Sequence, residues 1–291
     1  MPTHQGEWAL SGSGAQGAAY KSQLRSDWDA NVLTLDMLAD YSLQENGFVA
    51  FQDIRGAAEA CDHGGLQQML DAFACLPQDP YAAAANRFRR YDHAVILPWS
   101  RQLSWIPPLE GQGGERVAGY YQGTYNPEHP GARRLFPAFD ENLRANPLLN
   151  ALVWHDLDLT FWEDREAGLP LHVGMHMVKL LVAEPGAEAV SSPNMLHRDG
   201  EPFTFAHLIT RNNVGGGENV IAPPRCAGFH PDELAPGTIK ARFKLRLPLE
   251  SYGVHDPKVS HYVAAIRQRD PAQPAERSVL LIDFAVMAVA V

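Results

Sequence analysis

Hydrophobic and polar positions follow two textures along this chain. From about residue 170 onward the apolar runs are short and often alternating, as in "LHVGMHMVKLLVAE", "FTFAHLIT", "ENVIAPP", "FKLRLPLES", "SHYVAAIRQRD" and "RSVLLIDFAVMAV". Pro, Gly, Asn and Asp punctuate them at intervals of roughly ten residues, the rhythm of a β-barrel or jelly-roll. Such intervals leave no room for crossover helices, which argues against a parallel α/β sheet.

The first half reads differently. Between about residues 22 and 90 helical spacing dominates, in "QLRSDWDANVLTLDMLADYSLQENG" and "GGLQQMLDAFACL", with "FVAFQDI" as one short alternating strand. From 93 to 133 Pro, Gly and aromatic residues interleave, predicting hairpins and long loops, and "AFDENLRANPLLNALVWHDLDLTFWE" returns to helical periodicity. The expected architecture is one mainly β domain over 1–291, with a double-stranded β-helix (jelly-roll, cupin-like) core. About 169–291 supplies most of that core, about 21–168 supplies helix-rich support and loops, and 1–20 is a flexible lead-in. That lead-in holds Gly12, Gly14 and Gly17 in a G-x-G-x-x-G match, but "EWAL" before it is too short and polar for the buried strand that a dinucleotide fold requires.

Composition narrows the partner. The 291 residues carry 34 acidic against 24 basic side chains, a formal net charge of −10, with no Lys/Arg block, which disfavours nucleic acid and anionic membranes and leaves a small molecule. Cys61, Cys75 and Cys226 are odd in number and show no short ligand spacing, so neither a disulfide framework nor a zinc ribbon is expected. With no signal-peptide pattern and no long apolar span, the expectation is a cytoplasmic protein in a reducing compartment.

The chemistry concentrates in "NMLHRDGEPFTFAHLITRNNVGGGENVI", residues 194–221. His197 and Asp199, two apart at a strand edge, aim an imidazole and a carboxylate at one point. A third ligand must come from His207, His230, His255 or His261. His261 opens the apolar run "HYVAAI", 62 residues further on (261 − 199), whereas His255 sits in the turn "GVHDP". Two histidines and one carboxylate form a facial set with open positions, suited to non-haem Fe(II). The pattern lacks the H-E-x-x-H of a helical zinc hydrolase.

Arg277 lies 16 residues beyond His261 (277 − 261), across "RQRDPAQPAE", on a strand expected to run antiparallel beside "HYVAAI". A buried guanidinium there would grip a carboxylate in bidentate fashion, as the far end of a metal-chelating 2-oxoglutarate requires. A metal-binding jelly-roll without oxidative chemistry, such as a small-molecule sensor or a non-oxidative isomerase or hydrolase, has no need of Arg277.

In these motifs the sequence resembles a family. "LHRDG", "FAHLITRNNVGGGEN", "DPKVSHYVAAI" and "ERSVLLIDF", preceded by "NGFVAF", "RFRRYD", "YYQGTYN" and "HVGMHMVKLL", are similar in order and spacing to the Fe(II)/2-oxoglutarate dioxygenases related to L-isoleucine 4-hydroxylase, a group that includes pipecolic acid hydroxylases. The resemblance covers roughly residues 45–284. It implies iron ligands at His197, Asp199 and His261, a 2-oxoglutarate arginine at Arg277, and O2-dependent hydroxylation of a free amino or imino acid with release of succinate and CO2. Asp199 argues against the halogenating variant, which needs that coordination position for a halide. One departure is "HRDG" where the family often reads HQDG; the arginine changes the charge at the pocket mouth.

Further candidates for contact with substrate or 2-oxoglutarate are Tyr121 and Gln122 in "YYQGTYN", and His176 and His207 inside apolar runs, where a histidine is more often a hydrogen-bonded core residue. Arg89 and Arg90 read as surface or structural ion-pair residues rather than as binders of a substrate carboxylate. "GGGEN" lacks the Lys-Ser/Thr of a phosphate loop and reads as a turn between barrel strands.

Overall fold

The computed structural model describes residues 32–51, 54, 64–123, 125, 130–191 and 193–287. The expected lead-in over 1–20, the start of the first helical stretch, and Cys61 lie outside the described residues. Cys75 and Cys226 are free thiols. Among the described residues no helix is long and apolar enough to cross a membrane.

The strands, in chain order, are β1 (Phe48–Phe51), β2 (Arg87–Leu97), β3 (Gln102–Trp105), β4 (Leu109–Glu110), β5 (Arg116–Tyr121), β6 (Arg133–Pro137), β7 (Leu171–Val182), β8 (Phe203–Asn212), β9 (Val214–Gly216), β10 (Asn219–Ala222), β11 (Ala241–Phe243), β12 (Ser251–His255), β13 (Ser260–Val263), β14 (Ile266–Gln268) and β15 (Ala275–Val286). The α-helices are α1 (Leu43–Asn46), α2 (Gly64–Ala74), α3 (Glu141–Arg144) and α4 (Pro147–Leu159).

A seven-stranded antiparallel sheet in the order β1-β12-β8-β15-β7-β2-β3 forms the larger wall. The sheet β11-β10-β13 packs against its inner face. Val178, Ala206, Leu208, Tyr252, Val254 and Val279 from the large sheet cluster there with Ile221, Ala241 and Phe243 from the small one. This is the expected mainly β jelly-roll.

Helices cover the outer face of the large sheet. Asn146 caps α4 by accepting the Leu149 N–H at 2.9 Å, and Pro147 follows at the first helical position. The helix then buries Leu148, Leu149, Leu152, Val153 and Leu157 against Met175, Phe203, Phe205, Ile282 and Phe284, in one cluster with Met69 and Phe73 of α2. Each such side chain contributes about 1.5–3 kcal/mol relative to exposure. Buried Lys179 of β7 donates to the Phe73 and Ala74 carbonyls at 2.9 and 3.1 Å, capping the last turn of α2 with positive charge.

Two expectations are corrected. Residues 87–97, placed in the helix-rich support, form an eleven-residue strand inside the large sheet. Arg87 and Arg89 sit at inward positions, so the apolar alternation that marks a strand is broken in the sequence. Second, β15 does not lie beside β13. It pairs with β7 and β8, whereas β13 pairs with β10 in the facing sheet. The β15–β8 ladder also shifts register: Val279 faces Leu208 but Ser278 faces Thr210, leaving Ile209 as an extra residue, a β-bulge.

Candidate metal and co-substrate site

His197 and His261 are held together by the backbone before any side chain acts. Each donates its N–H to the other's carbonyl at 2.9 Å, an isolated antiparallel bridge. The His197 Nδ1–H donates to the Met195 carbonyl at 2.9 Å, which fixes the tautomer and leaves Nε2 as the free donor atom. Asp199 follows in extended chain, its own N–H bound by the Asp256 carboxylate at 2.8 Å. Gly200 then turns at φ +92°, and a Cβ there would lie 2.5 Å from the Tyr125 ring. Only glycine fits this conformation and this contact.

The donor atoms converge. Asp199 Oδ1 is 3.6 Å from His197 Nε2, Oδ2 is 3.3 Å from His261 Nε2, and one ligand atom from each residue lies within 4.8 Å of the others. Burial pulls the His261 imidazole down to about 4, so it is neutral near pH 7. Burial pushes the Asp199 carboxyl up, but His261 and His197 outweigh it and hold the group below its ordinary value. A neutral imidazole beside an ionised carboxylate is a donor pair that a divalent cation binds, and three protein ligands would leave further positions open.

Arg277 lines the same cavity from β15, 3% exposed. Burial lowers its pKa, partly offset by Tyr252. Its Nε has no hydrogen-bond partner, and it forms no ion pair with a carboxylate among the described residues. Directly opposite it on β8 stands Arg211, which sequence reading missed. Arg211 donates to the Gly216 carbonyl at 2.7 Å, and burial followed by Arg277 brings it down to about 9. Gly217, at φ +69°, lets both come close: a Cβ there would sit 2.9 Å from Arg211 Nη1 and 3.4 Å from Arg277 Cδ. A buried guanidinium beside a half-buried one makes a site for an anion.

The other candidates divide. His176 and Gln122 line the cavity, and Gln122 Nε2 donates to Asp199 Oδ1 at 3.4 Å. Tyr121 is 63% exposed and lines a neighbouring surface cavity instead. His207 is corrected as a pocket candidate. It faces the helices from β8, pairing with Asp156 of α4 at 2.7 Å and with the Ser251 hydroxyl at 2.8 Å, because an odd position on that strand points away from Thr204 and Ala206. His255 stacks on Phe203 with ring centroids 4.8 Å apart.

Arg89 also departs from expectation. Far from the surface, it lines the cavity beside Arg134, Glu201 and Asp283, three further residues the sequence did not flag. Burial, then Arg87, brings Arg89 down to about 10, still a cation at neutral pH. Arg90 is structural as expected, donating to the Ala138 carbonyl at 3.0 Å.

The family model described as 2OG-Fe dioxygenase matches residues 70–283. An L-isoleucine-4-hydroxylase of Bacillus thuringiensis is 30% identical over 248 residues, 84% of this chain and 92% of that protein. A 3(1)-hydroxy-L-isoleucine 4-dioxygenase of Pantoea ananatis is 26% identical over 226 residues, 75% of this chain and 80% of that one. The crystal structure of IDO from Bacillus thuringiensis shares the fold at a TM-score of 0.66 and 23% identity, covering 88% of this chain and 100% of that one. A family match over most of the chain, with a relative at 30% identity along nearly its whole length, carries the conclusion that this chain belongs to the 2OG-Fe dioxygenase family.

Proposed function

We propose that the protein hydroxylates an unactivated C–H of a free amino or imino acid, isoleucine-like or pipecolic-like, giving the hydroxy amino acid, succinate and CO2. In this reading His197, Asp199 and His261 hold Fe(II), and Arg277 receives the far carboxylate of 2-oxoglutarate. The observation that supports it best is one cavity walled both by the convergent donor set and by a buried arginine without a carboxylate partner among the described residues.

The bound iron and 2-oxoglutarate supply the power to place one oxygen atom of O2 into a C–H bond. The chain supplies position. The Met195 carbonyl and the Asp256 carboxylate orient His197 and Asp199 toward one point. Arg277 and Arg211 fix the co-substrate at one end of the cavity. Val178, Ala206, Val254 and Val279 present apolar walls that keep water from the reacting centre.

The test is a panel of free amino and imino acids incubated with the protein, Fe(II), 2-oxoglutarate and O2, reading succinate and product mass. A product 16 mass units heavier from at least one of them (about one oxygen atom) is expected. Turnover of peptides or amino acid esters as fast as of any free acid would sink the reading.

A further inference from the structure

Among the buried polar atoms of the cavity that lack a hydrogen-bond partner, five lie outside the metal and co-substrate residues, Arg87 Nη2 and Thr204 Oγ1 among them, and the other three form a complementary set. They are Arg89 Nε, Glu201 Oε2 and Asp283 Oδ1. One is a cationic donor and two are carboxylate acceptors. Buried charged groups normally find partners, so unpaired ones lining a cavity mark a ligand's contacts.

The neighbouring arginines are already engaged, although Arg87 Nη2 also lacks a partner. Arg87 is paired with Asp79 at 2.8 Å, and Arg134 donates to Gln122 Oε1 at 3.0 Å. Arg89 meets aromatic faces instead, 4.4 Å from the Phe136 ring centre and 5.3 Å from that of Tyr120. Tyr120 in turn donates its hydroxyl to Glu201 Oε1 at 3.4 Å.

His176 sets the spacing. Its Nδ1 accepts from Arg89 Nη2 at 2.6 Å, and its Nε2–H donates to Asp283 Oδ2 at 2.9 Å. Arginine can only donate and carboxylate only accept, so the ring is a neutral spacer in one tautomer. Guanidinium and carboxylate are thereby held on the order of 7–8 Å apart, the span of an α-amino acid with a hydrogen bond at each end. Gly174 makes room on this wall, since a Cβ there would sit 2.5 Å from Asp283 Oδ2.

We propose that Arg89 receives the α-carboxylate of the substrate while Glu201 and Asp283 receive its α-ammonium, making this end of the cavity a recognition site for a zwitterion. The inference rests on the amino acid reading above and goes further by naming the residues that select both charges on one carbon. Esters, amides and peptides lose one of the two contacts.

The test is anaerobic equilibrium binding to the Fe(II)- and 2-oxoglutarate-loaded protein, by calorimetry. The probes are L-isoleucine, 2-methylbutylamine and 3-methylpentanoic acid, or the matching trio if the panel selects another amino acid. The wild-type protein should bind each singly charged probe at least about tenfold more weakly than the amino acid. Arg89→Gln should weaken the amino acid and the acid by about tenfold or more and leave the amine unchanged, while Glu201→Gln should do the reverse. Arg89→Lys, keeping the charge, should fall between. If Arg89→Gln does not fold, the wild-type series and Arg89→Lys decide. Amino acid binding by Arg89→Gln within twofold of wild type (about the scatter of such a measurement), or equal loss of amine and acid in both variants, would overturn the assignment while leaving the amino acid reading intact. If no amino acid binds, both readings fall.

Discussion

The carboxylate of Asp256 carries that of Asp199: its Oδ1 accepts the Asp199 N–H at 2.8 Å and its Oδ2 the Gly200 N–H at 3.3 Å. Asp256 is 2% exposed, and burial followed by the Asp199 charge pushes its carboxyl up to about 7. Arg198 sits 3.3 Å from Asp256 Oδ2 and opposes that rise. The arginine of "HRDG", an unusual feature of the motif, thus serves a buried acid behind Asp199.

Asp256→Ala should therefore weaken iron binding by roughly 10–100-fold, the usual cost of removing a group that orients a ligand. Metal titration followed by the anaerobic absorption of the iron–2-oxoglutarate protein measures it. Unchanged affinity would show that the loop holds Asp199 without help.

His261→Ala should abolish iron-dependent turnover while the fold persists, since strands and the backbone bridge to His197 build the site. His255→Ala should keep turnover, because its ring stacks on Phe203 away from the donor set. Thermal unfolding and succinate release on both variants separate the two; turnover in His261→Ala with loss in His255→Ala would reverse the ligand assignment.

Arg277→Gln should raise the 2-oxoglutarate requirement steeply, since removing one partner of a buried charge-assisted pair costs on the order of 2–5 kcal/mol. Arg211→Gln should raise it less, because that side chain also holds the Gly216 carbonyl. The co-substrate KM reads both, and a KM unmoved by Arg277→Gln would remove the arginine from its role.

Glu218, at the end of "GGGEN", pairs with Lys244 at 2.7 Å in a half-buried bridge. Burial works against the carboxylate, but the Lys244 hydrogen bond outweighs it and leaves Glu218 below its ordinary 4.5. A depressed carboxyl contributes stability that is present above 4.5 and lost as pH falls through the folded value. Glu218→Gln should lower the melting temperature by about 2 °C at pH 7, for a loss on the order of 1 kcal/mol, and by little near pH 3. A loss equal at both pH values would mean packing rather than charge.

Much of the donor set was legible because it obeys local rules. His197 and Asp199 share a side at i and i+2, His261 opens an apolar run, and the helical periodicity of the stretch that holds α4 shows in the sequence. What escaped the sequence depends on pairing between distant segments. The neighbours of β15 could not be read from the strand itself, since its partners come from residues 171–182 and 203–212. Arg89 looked like surface because an arginine is normally exposed, and only a cavity behind β2 makes an inward arginine tenable. His207 stayed open between a hydrogen-bonded core residue and a pocket contact because an apolar run on a strand covered on both faces does not say which face is which.

Ile209, the extra residue of β8, works as a phase shift in the strand. Before it, even-numbered side chains such as Thr204 and Ala206 face the cavity; after it, odd-numbered Arg211 stands on that same side, opposite Arg277. Parity along β8 is therefore a counted quantity. Substituting Ile209 alters packing among the helix-side apolar residues, but deleting any single residue between 206 and 211 would restore strict alternation through the strand. Arg211 would then keep its place on the cavity side, opposite Arg277 in an unbroken ladder, whereas straightening the bulge at the present length would turn it toward the helices.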